Sequence, residues 1–150
     1  MKSPTTILFI LLSLALAGGA SCGGDDFRGI SLSLEFQPRD LPQDTTTINY
    51  YVLPLQLSDG SQAACVDFMG SQAEKSVLDY STDFVKRGGQ SVSATESVTL
   101  TVAELPEGML MFYIEAASTS QVLACGCGQG QVKRGEKVVI PIRLITDCRK

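Results

Sequence analysis

The feature that most constrains this chain is a two-residue alternation of apolar and polar side chains, repeated in short runs with turn residues between them. Ile30, Leu32, Leu34 and Phe36 alternate with Ser31, Ser33 and Glu35. A period of two sends successive side chains to opposite faces of an extended strand, so such a run is a half-buried β-strand. Val98, Leu100 and Val102 alternate with Ser97, Thr99 and Thr101 in the same way. Residues 109–117 form a long apolar strand with Leu110, Phe112, Ile114 and Ala116 on one face. Residues 122–127 read as a strand that continues through Gly128-Gln129-Gly130 to Val132, and Val138, Ile140, Ile142 and Leu144 mark the last one. Residues 47–57 are β-rich and end at Asp59-Gly60, a hairpin-type turn signal, with residues 64–69 as the returning strand. Pro54 favours an edge position or a bend there.

Turn chemistry separates the runs. Pro38 and Pro42 punctuate a loop, and Leu105-Pro106-Glu107-Gly108, residues 119–121 and Lys133-Arg134-Gly135-Glu136 read as turns, as does Lys86-Arg87-Gly88-Gly89. Turns roughly every ten residues predict an all-β fold, a single antiparallel β-sandwich of about 7–8 strands over residues 30–147. Residues 71–90 leave two readings open. Ser71 with Glu74 fits a capping box, which predicts a short helix over residues 72–79. The alternative is an irregular excursion.

Ahead of this domain stands a leader. Lys2 supplies a thin positive segment, residues 7–17 are almost unbroken apolar sequence, and Gly18-Gly19-Ala20-Ser21 are small. That is the three-part pattern of a secretory signal peptide over residues 1–21. The apolar run falls short of the roughly 20 residues that a spanning helix needs. Residues 22–29, beginning Cys22-Gly23-Gly24-Asp25-Asp26, then form a short polar tether.

Removal of the leader leaves residues 22–150, which is 129 of the 150, enough for one domain with a real core. The 12 basic residues less Lys2 leave 11 against 16 acidic ones, a net charge of −5. An acidic chain without basic runs argues against nucleic acid as a partner. The chain has no histidine, which removes the commonest general base and the commonest metal ligand. Of its five cysteines, Cys22 sits at the leader's end and Cys65, Cys125, Cys127 and Cys148 remain. Four cysteines in an exported chain predict two disulfides. Cys125 and Cys127 share a strand face, so each is expected to pair outward, with Cys65 and Cys148 in either order. A zinc site is disfavoured, because C-x-C with two distant single cysteines is not its usual spacing.

Two resemblances add to this. Ala20-Ser21-Cys22 resembles the end of a bacterial lipobox, with Gly19 standing where an apolar residue such as leucine is usual. The resemblance implies diacylation of Cys22, cleavage before it and, since Gly23 carries no charge, residence in the outer membrane. The succession of a Thr-rich strand, Leu105-Pro106-Glu107-Gly108, Phe112-Tyr113-Ile114-Glu115-Ala116, a glycine-bearing strand, Lys133-Arg134-Gly135-Glu136 and Val138-Val139-Ile140-Pro141-Ile142 covers about a third of the chain. It resembles the C-terminal half of small immunoglobulin-like or transthyretin-like sandwiches of bacterial surface proteins. Leader and tether together resemble those of lipoproteins of myxobacteria and their relatives. By analogy such modules serve as spacers, adhesion domains or binding domains, and fold alone does not choose among them.

A search for chemistry returns little. Gly126-Cys127-Gly128-Gln129-Gly130 lacks the G-x-G-x-x-G spacing between strand and helix that cradles a dinucleotide, and reads as a bulge where glycines let strands approach closely. Asp25 and Asp26 read as solvated tether acids. Glu74, Asp79 and Asp83 could gather around calcium but lack the loop spacing. Ser76 beside Lys75, and Glu104 with Glu107, are the nearest approaches to a nucleophile–base pair and a carboxylate pair. Of Tyr50 and Tyr51, one is expected in the core and one exposed. Met109, Met111 and Tyr113 would make a docking patch if exposed.

The sequence therefore predicts a non-enzymatic, lipid-anchored lipoprotein of the cell envelope, a structural or binding module with no cofactor and no metal. Its partners are the membrane, through lipid on Cys22, and an envelope protein. The alternative is an accessory subunit of an envelope secretion or motility complex that docks by a strand edge. A carbohydrate-binding or hydrolytic domain comes third.

Overall fold

The computed structural model describes residues 30–70, 73, 75–134, 138 and 140–148. The leader and the tether with Cys22 lie outside these residues, as do Ser71 and Glu74 of the expected capping box.

The described residues form six strands: β1 (Ile30–Phe36), β2 (Thr47–Pro54), β3 (Lys86–Ser91), β4 (Val98–Leu105), β5 (Gly108–Ala117) and β6 (Val122–Val132). They form two antiparallel sheets, β1–β4 and β3–β2–β5–β6. The alternation works as expected. Leu32, Leu34 and Phe36 of β1 and Val98, Leu100 and Val102 of β4 meet Ile48, Val52, Leu110, Phe112, Ile114 and Ala116 of the larger sheet in one buried core. The two sheets are thus held face to face by the hydrophobic effect.

The larger sheet buries its other face as well. Leu53, Met111, Tyr113 and Cys125 point away from the first core and pack against Leu57, Ala63, Phe68 and Val77. Those partners lie in the 55–85 excursion, which folds over the outer face as a cap. The continuous apolar run of β5 is the local reason, because a strand buried on both faces loses its alternation. The cap contains two 3₁₀ segments, Cys65–Asp67 and Val77–Asp83. The second is capped by Ser76, whose Oγ accepts from the Leu78 amide at 3.3 Å, while Asp79 accepts from the Ser76 amide at 2.8 Å.

Several expectations are corrected. Residues 64–69 are a 3₁₀ turn, not a returning strand, because their apolar side chains dock on the sheet face instead of extending its ladder. The described helical segment of this region is the 3₁₀ helix Val77–Asp83, and the expected start at residue 72 lies outside the described residues. Lys86-Arg87-Gly88-Gly89 is not a turn but most of edge strand β3, laddered to β2 from Thr47↔Ser91 to Val52↔Lys86. Pro54 does not sit on an edge; it ends the internal strand β2 opposite Leu110.

The last expected strand is also changed, so the described residues hold six strands and not 7–8. Residues 138 and 140–144 lie against β6 without joining a ladder. Ile140 is buried in the first core, with Val138, Ile142 and Leu144 packed around it. A methyl on Gly126 would sit 2.9 Å from the Arg143 carbonyl oxygen, and one on Gly128 would sit 2.8 Å from that of Pro141. The segment therefore runs antiparallel to β6 across its inward face, where glycines leave backbone room. Only at Ile145 does it reach the strand's edge and exchange two backbone hydrogen bonds with Cys125, at 2.9 and 2.7 Å.

Candidate functional site

The four downstream cysteines come together on one side of β6. Cys65 pairs with Cys127, and Cys125 pairs with Cys148. Positions 125 and 127 share the outward face, as period two dictates. One bond ties the cap to β6 and the other ties the C-terminal segment to it. The glycines at 126, 128 and 130 share the opposite, inward face. The Gly-Cys-Gly-Gln-Gly run is thus a two-faced packing element, and it contains no bulge: its register against Leu110–Ile114 is unbroken, the one shift lying at Ala116/Ala117.

Under the cap runs a row of aromatic rings. Tyr51 lies 5.3 Å from Phe84 and 6.2 Å from Tyr113; Phe68 lies 6.1 Å from Tyr113 and meets Tyr80 edge-on at 5.3 Å. Such centroid distances add attraction beyond area burial. Tyr50 packs toward the first core and Tyr51 toward the second, so neither is the exposed platform expected of one of them. Met111 and Tyr113 are buried, and of the expected docking patch only Met109 is open to solvent.

At the end of this row the Tyr51 hydroxyl donates to Glu115 Oε2 at 3.2 Å. Burial raises the Glu115 carboxyl above its ordinary range, and hydrogen bonds from Tyr51 and Asn49 oppose the shift. Burial, then the Glu115 charge, pushes Tyr51 up to about 12. Burial likewise raises Tyr113. Both tyrosines therefore keep their protons near neutral pH.

The other candidates are kept apart. Glu104 pairs with Lys86 at 2.6 Å, and Glu107 with Arg134 at 3.7 Å, so each acid of the expected carboxylate pair answers its own cation. The contact lowers the Glu104 carboxyl and raises the Lys86 ammonium. Glu104 also holds a left-handed φ of 60°, uncommon for a residue with a side chain. Asp79 accepts from Ser76 and Asp83 from the Ser58 amide, both as turn acceptors, and Glu74 lies outside the described residues. Among the described residues no group of three or more acidic or cysteine side chains could hold a metal ion. Ser76 is spent as a helix cap, and Lys75 lies over the Tyr80 ring at 5.2 Å instead of serving as its base.

Sequence reasoning missed the loop pole. Residues 43–46, 92–95 and 118–119 meet there around a cleft of about 510 Å³. Thr45 in that cleft is 3% exposed, and its hydroxyl has no hydrogen-bond partner among the described residues. The signal was faint, since Ser and Thr in loops are ordinary. No helix among the described residues is long and apolar enough to cross a membrane. No protein-family model matches the chain, and neither the curated proteins nor the solved structures contain a significant match to it.

Proposed function

We propose that this chain is an exported lipoprotein of the bacterial cell envelope, anchored to the outer membrane by lipid on Cys22, with a non-enzymatic β domain that acts as a structural or binding module. The observation that carries the reading is the leader of residues 1–21 closing on Ala20-Ser21-Cys22. Two disulfides in so small a domain support it, since disulfides persist in oxidising compartments. Two or three acyl chains would hold the domain firmly, where one binds marginally. The scattering of the candidate acids and nucleophiles favours binding or support over catalysis. We read the sandwich as immunoglobulin-like. Residues 138–144 would then serve as a seventh, unladdered strand beside β1.

Intact mass of the mature protein extracted from membranes is the test. A diacylglyceryl-modified N-terminal Cys22 with four oxidised cysteines is the expected result. An unmodified Cys22, or an N-terminus elsewhere, overturns the anchor. A second reading, an envelope-complex subunit docking by strand addition, is favoured by the edges of β3 and β4, each of which has a strand partner on one side only. Co-purification from cross-linked membranes, lost when Gly89→Pro blocks the β3 edge, would establish it.

A further inference from the structure

Six strand ends converge on the pole where Phe36 pairs with Val98, Thr47 with Ser91 and Ala117, and Ala117 with Val122. The loops joining them line the 510 Å³ cleft. Its volume falls within the roughly 300–1,000 Å³ of small-molecule sites. Beside the apolar Val92 and Ala94, its lining offers the Gln43 amide, the Asp44 carboxylate and hydroxyls that include those of Thr45, Ser93, Thr95 and Thr119.

Thr45 is the second, independent observation. A buried hydroxyl without a partner is rare, because leaving it unmet costs stability. Here it belongs to a residue that lines an open cleft, with the oxygen itself just beneath the surface, so a rotation about χ1 would bring it to a ligand there. Ser93 Oγ and Thr95 Oγ1 lie 2.7 Å apart and either can donate, so this pair can turn a donor or an acceptor toward a ligand.

The lining also says what the ligand is not. It contains no cation, which disfavours phosphate, sulfate or carboxylate ligands. It contains no aromatic ring and no arginine, the usual anchors of a protein hot spot. Two-way hydroxyls with one amide, one carboxylate and a small apolar floor match a molecule that carries many two-way hydroxyls on an apolar ring, with Asp44 accepting from adjacent OH groups. We propose that this cleft binds a neutral saccharide.

The proposal deepens the binding-module reading and rests on it. Ile30, where the tether enters, lies at the opposite pole. A seven-residue β1 places the cleft about 23 Å further on. On an anchored protein it would face away from the membrane.

The test uses the mature protein, residues 22–150, on an array of neutral hexose and N-acetylhexosamine oligosaccharides, followed by a ¹⁵N NMR titration with the best of them. Amide shifts confined to residues 43–46, 92–95 and 118–119 are expected. Thr45→Val and Asp44→Asn should each weaken binding at least tenfold. Thr45→Val should leave the unfolding midpoint unchanged or raised, which separates lost binding from lost folding. Thr119→Ala, on an exposed loop tip, supplies a second variant that cannot disturb the core. A silent array, shifts mapping elsewhere, or full affinity in Thr45→Val overturns the proposal. A silent array with a lipidated Cys22 would remove the saccharide and leave the anchored module. Binding with an unmodified Cys22 would do the reverse.

Discussion

Replacing Gly128 with alanine should destabilise the protein, and the glycines either side of it calibrate by how much. The new methyl would lie 2.8 Å from the Pro141 carbonyl oxygen and 2.8 Å from Ile140 Cγ2. Both are closer than a carbon approaches in a packed interior, and the first neighbour is backbone, which cannot rotate away. Over-packing of this kind costs about 1–3 kcal/mol. Against it stands the smaller conformational entropy of alanine in the unfolded chain, about 0.4–1 kcal/mol. The difference is a net loss of about 1–2 kcal/mol, or roughly 3–6 °C in Tm for a domain of this size. Gly126→Ala should behave alike, because its methyl would meet the Arg143 carbonyl oxygen at 2.9 Å. Gly130→Ala should cost less, since all three near atoms belong to the Ile140 side chain, whose ends can move. Thermal melts of the oxidised protein measure the series. If Gly128→Ala melts at or above the wild-type temperature, or if Gly130→Ala is the worst of the three, residues 138–144 do not lie on the inward face of β6.

Three further outcomes are expected. The disulfides close loops of 62 and 23 residues, so on chain entropy alone losing Cys65–Cys127 should cost about 4 kcal/mol and losing Cys125–Cys148 about 3 kcal/mol. Urea unfolding of the paired Cys→Ala variants reads the order, and an inverted order would mean that native packing outweighs loop closure. Glu115 has a raised folded-state pKa, so the folded protein holds the proton more tightly than the unfolded one. Stability from this group is present at low pH and is lost as pH rises from the ordinary value of 4.5 through the folded value. Glu115→Gln should flatten that slope and raise Tm at pH 8, and a Tm difference from wild type that does not change between pH 4 and 8 would refute it. Thr45→Val should gain about 1 kcal/mol by removing an unsatisfied hydroxyl, read as a rise in the urea midpoint of the ligand-free protein.

The strands that were legible in the sequence are those whose burial is one-sided or whose run is long. β1 and β4 follow strict alternation because one face meets the core and the other meets water. β3 escaped because Lys-Arg-Gly-Gly has the composition of a turn. Its glycines serve contacts instead: a methyl on Gly88 would fall within 3 Å of the Tyr50 ring, and one on Gly89 would sit 2.7 Å from Asn49 Oδ1. Those are tertiary demands, and local propensity does not carry them. The cap was illegible for a similar reason. Its 3₁₀ turns hold few apolar residues in regular phase, and their docking is decided by Phe68, Val77 and the face of β5. One clue was present, since the unbroken run of residues 109–114 implies a strand covered on both sides. The disulfide partners were narrowed to two arrangements by the shared face of Cys125 and Cys127, and only the path of the tail chose between them.

That path bears on where function can reside. Residues 140–144 cross the inward face of β6, and the chain passes the strand's edge at Ile145 and returns to the outward face, where Cys148 is bonded to Cys125 and bridged to Met69. The cap is stapled to the same strand by Cys127. Both covalent ties therefore secure the layers around β6, and none of the four cysteines lies in the loops at residues 43–46, 92–95 or 118–121. A fold braced in this way can tolerate change at the polar positions of those loops, because of their side chains only Val92 and Ala94 pack against a core. Thr45 is the exception, buried yet unpaired. Stability alone would favour valine there, so a purely structural role does not account for this hydroxyl.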